Sequence, residues 1–242
     1  IYYDYLKTLL QFQEGAAVDS IKLFNGITQE SLKLAGPNRR KIQSLAALKK
    51  ARGLMLIGRL KDSLEAFDDV VNRYKEDYEG DIHSLILSAY REMTHLEKTL
   101  GDENGALSRI EAGLDYLQHP ENEYDQLNRG RLLVARVDTY NHLIKDDTIA
   151  VAEAVEHLSK FQNNVAFKRL SVRLDLIRVG HSLQGSPRDA LILADTSWGI
   201  FKGDDDEEIS THLYQMMILV KEYYRTVEEQ DHYEEILLRI TS

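Results

Sequence analysis

The stretch "MLIGRLKDSLEAFDDVV", residues 55–71, decides the fold. Gly58 is followed five places later by a small residue, Ser63, and Phe67 lies four places beyond that. Glycine ends a helix at least cost, because it enters the left-handed region without a Cβ clash. A small side chain early in the next helix lets two helices approach closely, and a large one a turn later fills the groove between them. The stretch has the signature of a bend in a helical hairpin.

The signature recurs along the chain. Gly15 precedes Ser20, Gly101 precedes Ala106 and Gly185 precedes Ala190 by the same interval, while Lys145 with Ala150 and Glu228 with Tyr233 fill the slots less well. The anchors at 20, 63, 106, 150, 190 and 233 are separated by 43, 43, 44, 40 and 43 residues. One place past each anchor stand Ile21, Leu64, Leu107, Val151 and Leu191, with Glu234 breaking the row. Four places past stand Phe24, Phe67, Ile110, Ala154, Ala194 and Leu237. Apolar residues at such offsets line one side of a helix.

The punctuation agrees with hairpins. "GSPRD" supplies Gly185 as a stop, Ser186 as an N-cap, Pro187 at the first helical position and Asp189 near a capping-box slot. "GPNRR" at 36–40 and "HPEN" at 119–122 interrupt the pattern between hairpins, and Asp102 and Asp147 stand where second helices should begin. The expected fold is all-α, a right-handed α-solenoid of about six antiparallel helix hairpins in a single domain. The expected hairpins run roughly over 1–36, 37–80, 81–122, 123–164, 165–203 and 204–242.

Composition supports helices: only 3 Pro and 14 Gly interrupt 242 residues. Without Cys there is no disulfide framework and no thiolate chemistry. That absence fits any compartment, with the cytoplasm as the default. No apolar run approaches the roughly 18 residues a membrane span needs. The opening "IYYDYLKTLL" lacks Met and carries an acid, so it is expected to be neither a signal peptide nor an intact start, and the chain to be part of a longer or processed one. The ends fall in register with the hairpins. No polar cap follows "EEILLRITS", so Leu237, Leu238 and Ile240 are expected to meet another segment or another subunit.

"GRLKDSLEAFDDVVNRY" resembles the second half of a tetratricopeptide repeat. Gly58, Ser63, Phe67 and Val70 occupy the turn, small, large and apolar slots, and Ala47, Ala51 and Leu54 suit the preceding helix. Repeats of that family usually span about 34 residues. The spacing here resembles the long-unit variants of bacterial and kinesin-light-chain-like arrays. The resemblance implies protein–protein interaction and specifies no ligand.

Motifs for catalysis are absent. The chain has no HExxH, GxSxG, P-loop or glycine-rich dinucleotide turn, and its 8 histidines lack metal-ligand spacing. No cofactor and no enzymatic activity are expected. The densest acidic run, "GDDDEE" at 203–208, misses the EF-hand spacing and sits before a helix, where acids complement the positive N-terminal end.

Charge is segregated. Net charge is −10, from 40 acids and 30 bases, which opposes general attraction to nucleic acid or anionic membranes. Yet residues 31–61 hold nine bases and no acid, and residues 62–81 hold eight acids and two bases. Arg129, Arg131, Arg136 and Lys145 precede Asp146, Asp147, Glu153 and Glu156, and Lys168, Arg169, Arg173 and Arg178 precede another acid-rich segment. First helices are expected to be basic and second helices acidic.

The family resemblance implies that first helices line a concave face. Counting back from the anchors puts Arg52, Met55, Arg91, His95, Lys98, Thr139, His142 and Arg225 on that face. Arg131, Arg136, Arg173 and Arg178 fall nearby. Such a groove would capture an acidic or phosphorylated segment, or a free carboxylate, through charge-assisted hydrogen bonds. The competing reading is that basic first helices neutralise acidic second helices. Nucleic acid is disfavoured, since the basic run from 33 to 61 holds no aromatic to stack on a base. The clusters Tyr2, Tyr3, Tyr5 and Tyr223, Tyr224 fit inter-helix packing or, at terminal hairpins, an interface.

The function expected from these features is a non-enzymatic scaffold or adaptor whose basic groove binds an acidic peptide or partner protein. The alternative is a regulatory or sensor module that changes shape on binding a peptide or small ligand. Self-association or packing through the terminal hairpins remains open.

Overall fold

The computed structural model describes residues 17–31, 37–77, 80–143 and 145–226. Among these the elements are ten α-helices and no strands: α1 (Ala17–Ser31), α2 (Pro37–Leu56), α3 (Leu60–Tyr74), α4 (Gly80–Thr99), α5 (Glu103–Tyr116), α6 (Glu123–His142), α7 (Thr148–Ser159), α8 (Val165–Ser182), α9 (Pro187–Phe201) and α10 (Glu207–Thr226). The chain divides into two compact units after Tyr116. Gly15, Tyr2, Tyr3, Tyr5, Lys33, Glu228, Tyr233, Leu237, Leu238 and Ile240, and the side chain of Ser20, lie outside what is described.

In the N-terminal unit, α2 and α3 turn about Gly58 and α4 and α5 about Gly101, with φ of 77° and 78°. Each glycine closes the same pair of bonds. Gly58 N–H donates to the Met55 carbonyl at 3.0 Å and Arg59 N–H to Leu54 at 2.9 Å, while Gly101 and Asp102 donate to Lys98 and Glu97 at 3.0 and 2.9 Å. These bonds satisfy carbonyls that the helix end would otherwise leave unpaired. The hairpins are antiparallel. Arg40, near the start of α2, lies 6.0 Å from the Tyr74 ring at the end of α3. His83 of α4 hydrogen-bonds the Tyr116 hydroxyl at the end of α5, at 2.9 Å.

The anchor positions do what their size predicts. Ser63 is fully buried, and its hydroxyl donates to the Ala51 carbonyl across the hairpin at 2.7 Å. Phe67 packs one turn later with Val70, Ile82, Ile86 and Met93. Burying a side chain the size of Phe67 contributes about 2–3 kcal/mol. Ala106, Ala150 and Ala190 are buried at the equivalent positions, as are Phe24, Ile110, Ala154 and Ala194 a turn beyond the anchors. Phe24 and Ile27 of α1 pack with Ala46 of α2.

Hairpins also pack on their neighbours within each unit: α2 meets α4, α6 meets α8, and α8 meets α10. Arg52 of α2 reaches Ser88 and Glu92 of α4, 36 and 40 residues away. Arg109 of α5 reaches Asp68 of α3, 41 residues away. In the C-terminal unit Lys168 and Arg169 reach Asp204 and Asp206, 36 and 37 residues on. Within each unit, first helices therefore lie side by side one hairpin apart and point the same way.

Two turns differ from expectation. Gly185 does not adopt a left-handed conformation, since positive φ among the described glycines occurs at Gly58 and Gly101. A four-residue connection separates α8 from Pro187. It closes through Leu183, Gln184, Gly185 and Ser186 N–H donating to Val179, His181, Ser182 and Ser182 carbonyls, so no left-handed residue is required. Ser186 stands at the N-cap, but its side chain bonds the Asp189 carboxylate at 2.6 Å rather than a backbone N–H. Asp147 precedes α7 without capping it, and Asp146 accepts from Thr148 N–H at 2.9 Å instead.

The charge pattern is also less regular than expected. α2 and α8 are basic, but α6 carries three acids and three bases, and α4 and α10 three acids to two bases each. Those acids face neighbouring bases, as Glu92 faces Arg52 at 3.1 Å. Thr139, assigned by sequence to the open face, is fully buried and its hydroxyl bonds the Ala135 carbonyl.

Candidate functional site

The C-terminal unit carries a groove of about 540 Å³ along the C-terminal halves of its first helices. α6 contributes Asp138, Asn141 and His142, spaced to share one helix face. α8 and its turn contribute Leu176, Ile177, Gly180, His181 and Gln184. α10 completes the wall with Gln215, Ile218 and Leu219. The two aliphatics are 48% and 41% exposed, although the rest of α10 packs into the core through Leu213, Met216, Met217 and Val220. Gly180 leaves the floor open, because a Cβ placed there would meet nothing within 4 Å.

Polar groups edge this surface. His142 Nε2 lies 3.7 Å from Asp138, and His181 Nδ1 lies 3.6 Å from Asp147. Asn141 is buried at both ends of its amide, and neither Oδ1 nor Nδ2 finds a protein partner. Buried amides are normally paired, which makes this one an exception.

A second cleft, of about 790 Å³, opens on the other side of α8, where α7 and α9 flank it. Its charged groups pair with one another. Asp175 accepts from Ser197 at 2.6 Å and from Arg178 at 3.0 Å, and Lys168 pairs with Asp204 at 2.8 Å. Burial pushes the Asp175 carboxyl above the usual carboxylate range, with the Ser197 and Arg178 bonds pulling against it. Lys168 holds Asp204, and Arg169 holds Asp206, below that range. The acidic run caps α10, since Asp206 accepts from Glu208 and Ile209 N–H. It also receives the bases of α8.

Four of the arginines assigned by sequence to the concave face or its vicinity are bound to acids. Arg52 bonds Ser88 and Glu92. Arg136 is 11% exposed and bonds Glu153, which Arg129 also holds at 3.1 Å. Burial opposes ionisation of Glu153, yet the two arginines prevail and keep its carboxyl below the usual range. Arg178 serves Asp175, Arg225 pairs with Glu222 one turn back, and Arg131 reaches Asn128 at 3.4 Å.

Met55 packs half-buried against the N-terminal core. Arg91 and His95 are exposed on α4, with Lys98 half-buried beyond them. Arg173 is exposed on α8, where its charge and above all burial depress the His212 imidazole. Of the residues predicted from sequence, His142 lines the groove. Asn141, Gly180, His181, Ile218 and Leu219 were not singled out. A usable signal existed, because His142 and His181 both stand at the C-terminal ends of successive first helices.

Among the described residues no group of three or more acids or histidines is placed to hold a metal ion, and no helix is long and apolar enough to cross a membrane. Tyr223 and Tyr224 pack in the core, with the Tyr224 hydroxyl 3.4 Å from the Pro187 carbonyl.

No family model and no curated protein matches the chain. Among solved structures it is similar to BtubC (BKLC) from P. vanneervenii, with a TM-score of 0.66, 15% identity, and coverage of 93% of this chain and 89% of that one. A likeness at that identity is one of fold.

Proposed function

We propose that this chain is a non-enzymatic binding module, a scaffold or adaptor, built as a solenoid of tetratricopeptide-like hairpins that holds a partner's segment on the face of its first helices. The observation that carries this reading is the open groove along α6, α8 and α10, with two exposed aliphatics on a helix whose other aliphatic and methionine side chains are buried. Stacked hairpins present such a surface already formed, so little ordering is lost on capture.

An acidic segment finds its partners in the N-terminal unit, where Arg91 and His95 stand exposed on α4. Arg52 and Arg136 contribute by holding helices together through Glu92 and Glu153. A regulatory module that tightens around a small ligand is the second reading, favoured by the groove's volume of about 540 Å³, within the size range of small-molecule sites.

The test is affinity capture on the immobilised protein beside two folded variants, Ile218→Asp and Arg91→Glu, with the captured proteins identified by mass spectrometry. A partner lost from Ile218→Asp supports the groove, and one lost from Arg91→Glu supports the basic face of the N-terminal unit. Partners retained equally by both variants would refute capture by first helices. Compaction in solution scattering on adding a small ligand, without any captured protein, would favour the regulatory reading.

A further inference from the structure

The contact of α2 with α4 holds more positive charge than the protein neutralises. α2 carries six bases and no acid. Three of the six have acids from elsewhere: Arg40 pairs with Asp77 at 2.6 Å, Lys41 with Asp81, and Arg52 with Glu92 at 3.1 Å. Lys49 differs. It is half-buried, and among the described residues no acid pairs with it. Burial first, and then the Arg52 charge, push its ammonium below the usual lysine range.

Arg52 fixes where Lys49 stands. Its guanidinium bonds Ser88 at 2.6 Å as well as Glu92, so it lies where α2 meets α4. Lys49 precedes Arg52 by three residues, an interval that puts both on one side of α2. Arg91, next to Glu92 in the chain, is exposed and also pairs with no acid among the described residues.

The local charge selects the class of anion. Lys49, Arg52 and Glu92 together leave one positive charge uncancelled. A carboxylate cancels it. A phosphate monoester carries about two negative charges near neutral pH and would exceed it in a half-buried place. The guanidinium fork that favours phosphate is already held by Ser88 and Glu92.

Resting on the acidic-segment reading above, we propose that Lys49 anchors a side-chain carboxylate of a partner's acidic segment at the contact of α2 with α4, while Arg91 adds attraction from the exposed edge. Counting back from the anchors passes over Lys49. What singles it out is an ammonium taken partly from water and given a cation for a neighbour.

Three nonapeptides test this, each acetylated, amidated and carrying the same neutral dye, with a central Glu-Glu-Glu, Glu-phosphoserine-Glu or Gln-Gln-Gln. Fluorescence anisotropy against the whole chain at low salt should rank them in that order. Lys49→Met keeps most of the aliphatic stem and should weaken the Glu peptide by about tenfold. Lys50→Met, one residue on and turned away around the helix, should change it by less than about twofold. The melting temperature of Lys49→Met should hold or rise, because the cation removed has no acid to lose; a lysine kept for structure would lower it. Lys49→Gln is the second variant if Met disturbs the fold. Reductive methylation followed by mass spectrometry should show the Glu peptide protecting Lys49 and not Lys50.

A Glu peptide bound equally by Lys49→Met would overturn the anchor, and its loss from Arg91→Glu would leave the acidic-segment reading standing. Equal weakening by Lys49→Met and Lys50→Met would also overturn the anchor, as general attraction to a basic helix. A phosphopeptide that binds best and is lost from Lys49→Met would overturn the choice of carboxylate. No binding of any peptide up to millimolar concentration would overturn the proposal, while a captured protein lost from Ile218→Asp would still support the binding module.

Discussion

Replacing glycine by alanine at three turns that look alike in sequence should give two different signs of stability change. Gly58 and Gly101 sit at φ of 77° and 78°, with open space where a Cβ would go, so sterics with neighbours do not enter. The cost is the backbone alone, about 1–2 kcal/mol for an L-residue in the left-handed region. Against it stands about 0.4–1 kcal/mol gained by restricting the unfolded chain. The net expectation is a loss of about 1 kcal/mol for Gly58→Ala and for Gly101→Ala. Gly185 also has open space but no positive φ, so Gly185→Ala keeps the gain and loses nothing. It should stabilise by about 0.4–1 kcal/mol. Urea titration followed by far-ultraviolet circular dichroism measures all three. Where the two units unfold separately, the first two variants shift one transition and the third shifts the other. If Gly185→Ala loses as much as its counterparts, its turn is left-handed after all. If Gly58→Ala is neutral, the hairpin bend rests on something other than glycine's backbone freedom.

Three further outcomes follow from the packing. Burial, against the bond to the Gln126 carbonyl at 2.8 Å, lowers the affinity of His157 for a proton in the folded state. The unfolded chain then binds the proton more readily, so the stability of the C-terminal unit should fall as pH drops below about 6.5, and His157→Gln should flatten that dependence in urea titrations between neutral and mildly acid pH. Ser63→Ala should cost about 1 kcal/mol through its lost bond to Ala51, and Ser63→Leu several times that by overpacking, both seen in thermal melts. Arg136→Met should destabilise by about 1 kcal/mol, held down by the partial exposure of Glu153 and its remaining bond to Arg129, and a double cycle with Glu153→Gln should recover most of it.

The hairpins were legible because helix packing writes its demands locally. Ser63, Ala106, Ala150 and Ala190 must be small where helices touch, and the large residues a turn on must be apolar. Both requirements recur at the spacing of the fold. Ion pairing was not legible, since it depends on which helix lies opposite. Arg52 looks free in a run without acids, and its partner Glu92 comes from the next hairpin. Gly185 misled because loop length, rather than residue type, selected its turn. The groove was hardest to see. Asn141, Gly180 and Ile218 form no motif in the chain, and they converge because α8 packs against both α6 and α10.

That stacking has a consequence for how the chain reaches and keeps its structure. Among the described residues of each unit, the substantial contacts join a helix to the next or to the one after it, and none reaches farther. Ordering one hairpin prepares the template for its neighbour, so the entropy of closing long loops never has to be overcome in a single step. Stability is then shared out regionally. A lesion such as Ser63→Leu should raise amide exchange in α2, α3 and α4 and leave slow exchange elsewhere, where a globular core would loosen as a whole. Tolerance to a damaged hairpin belongs to the topology, whatever the module binds.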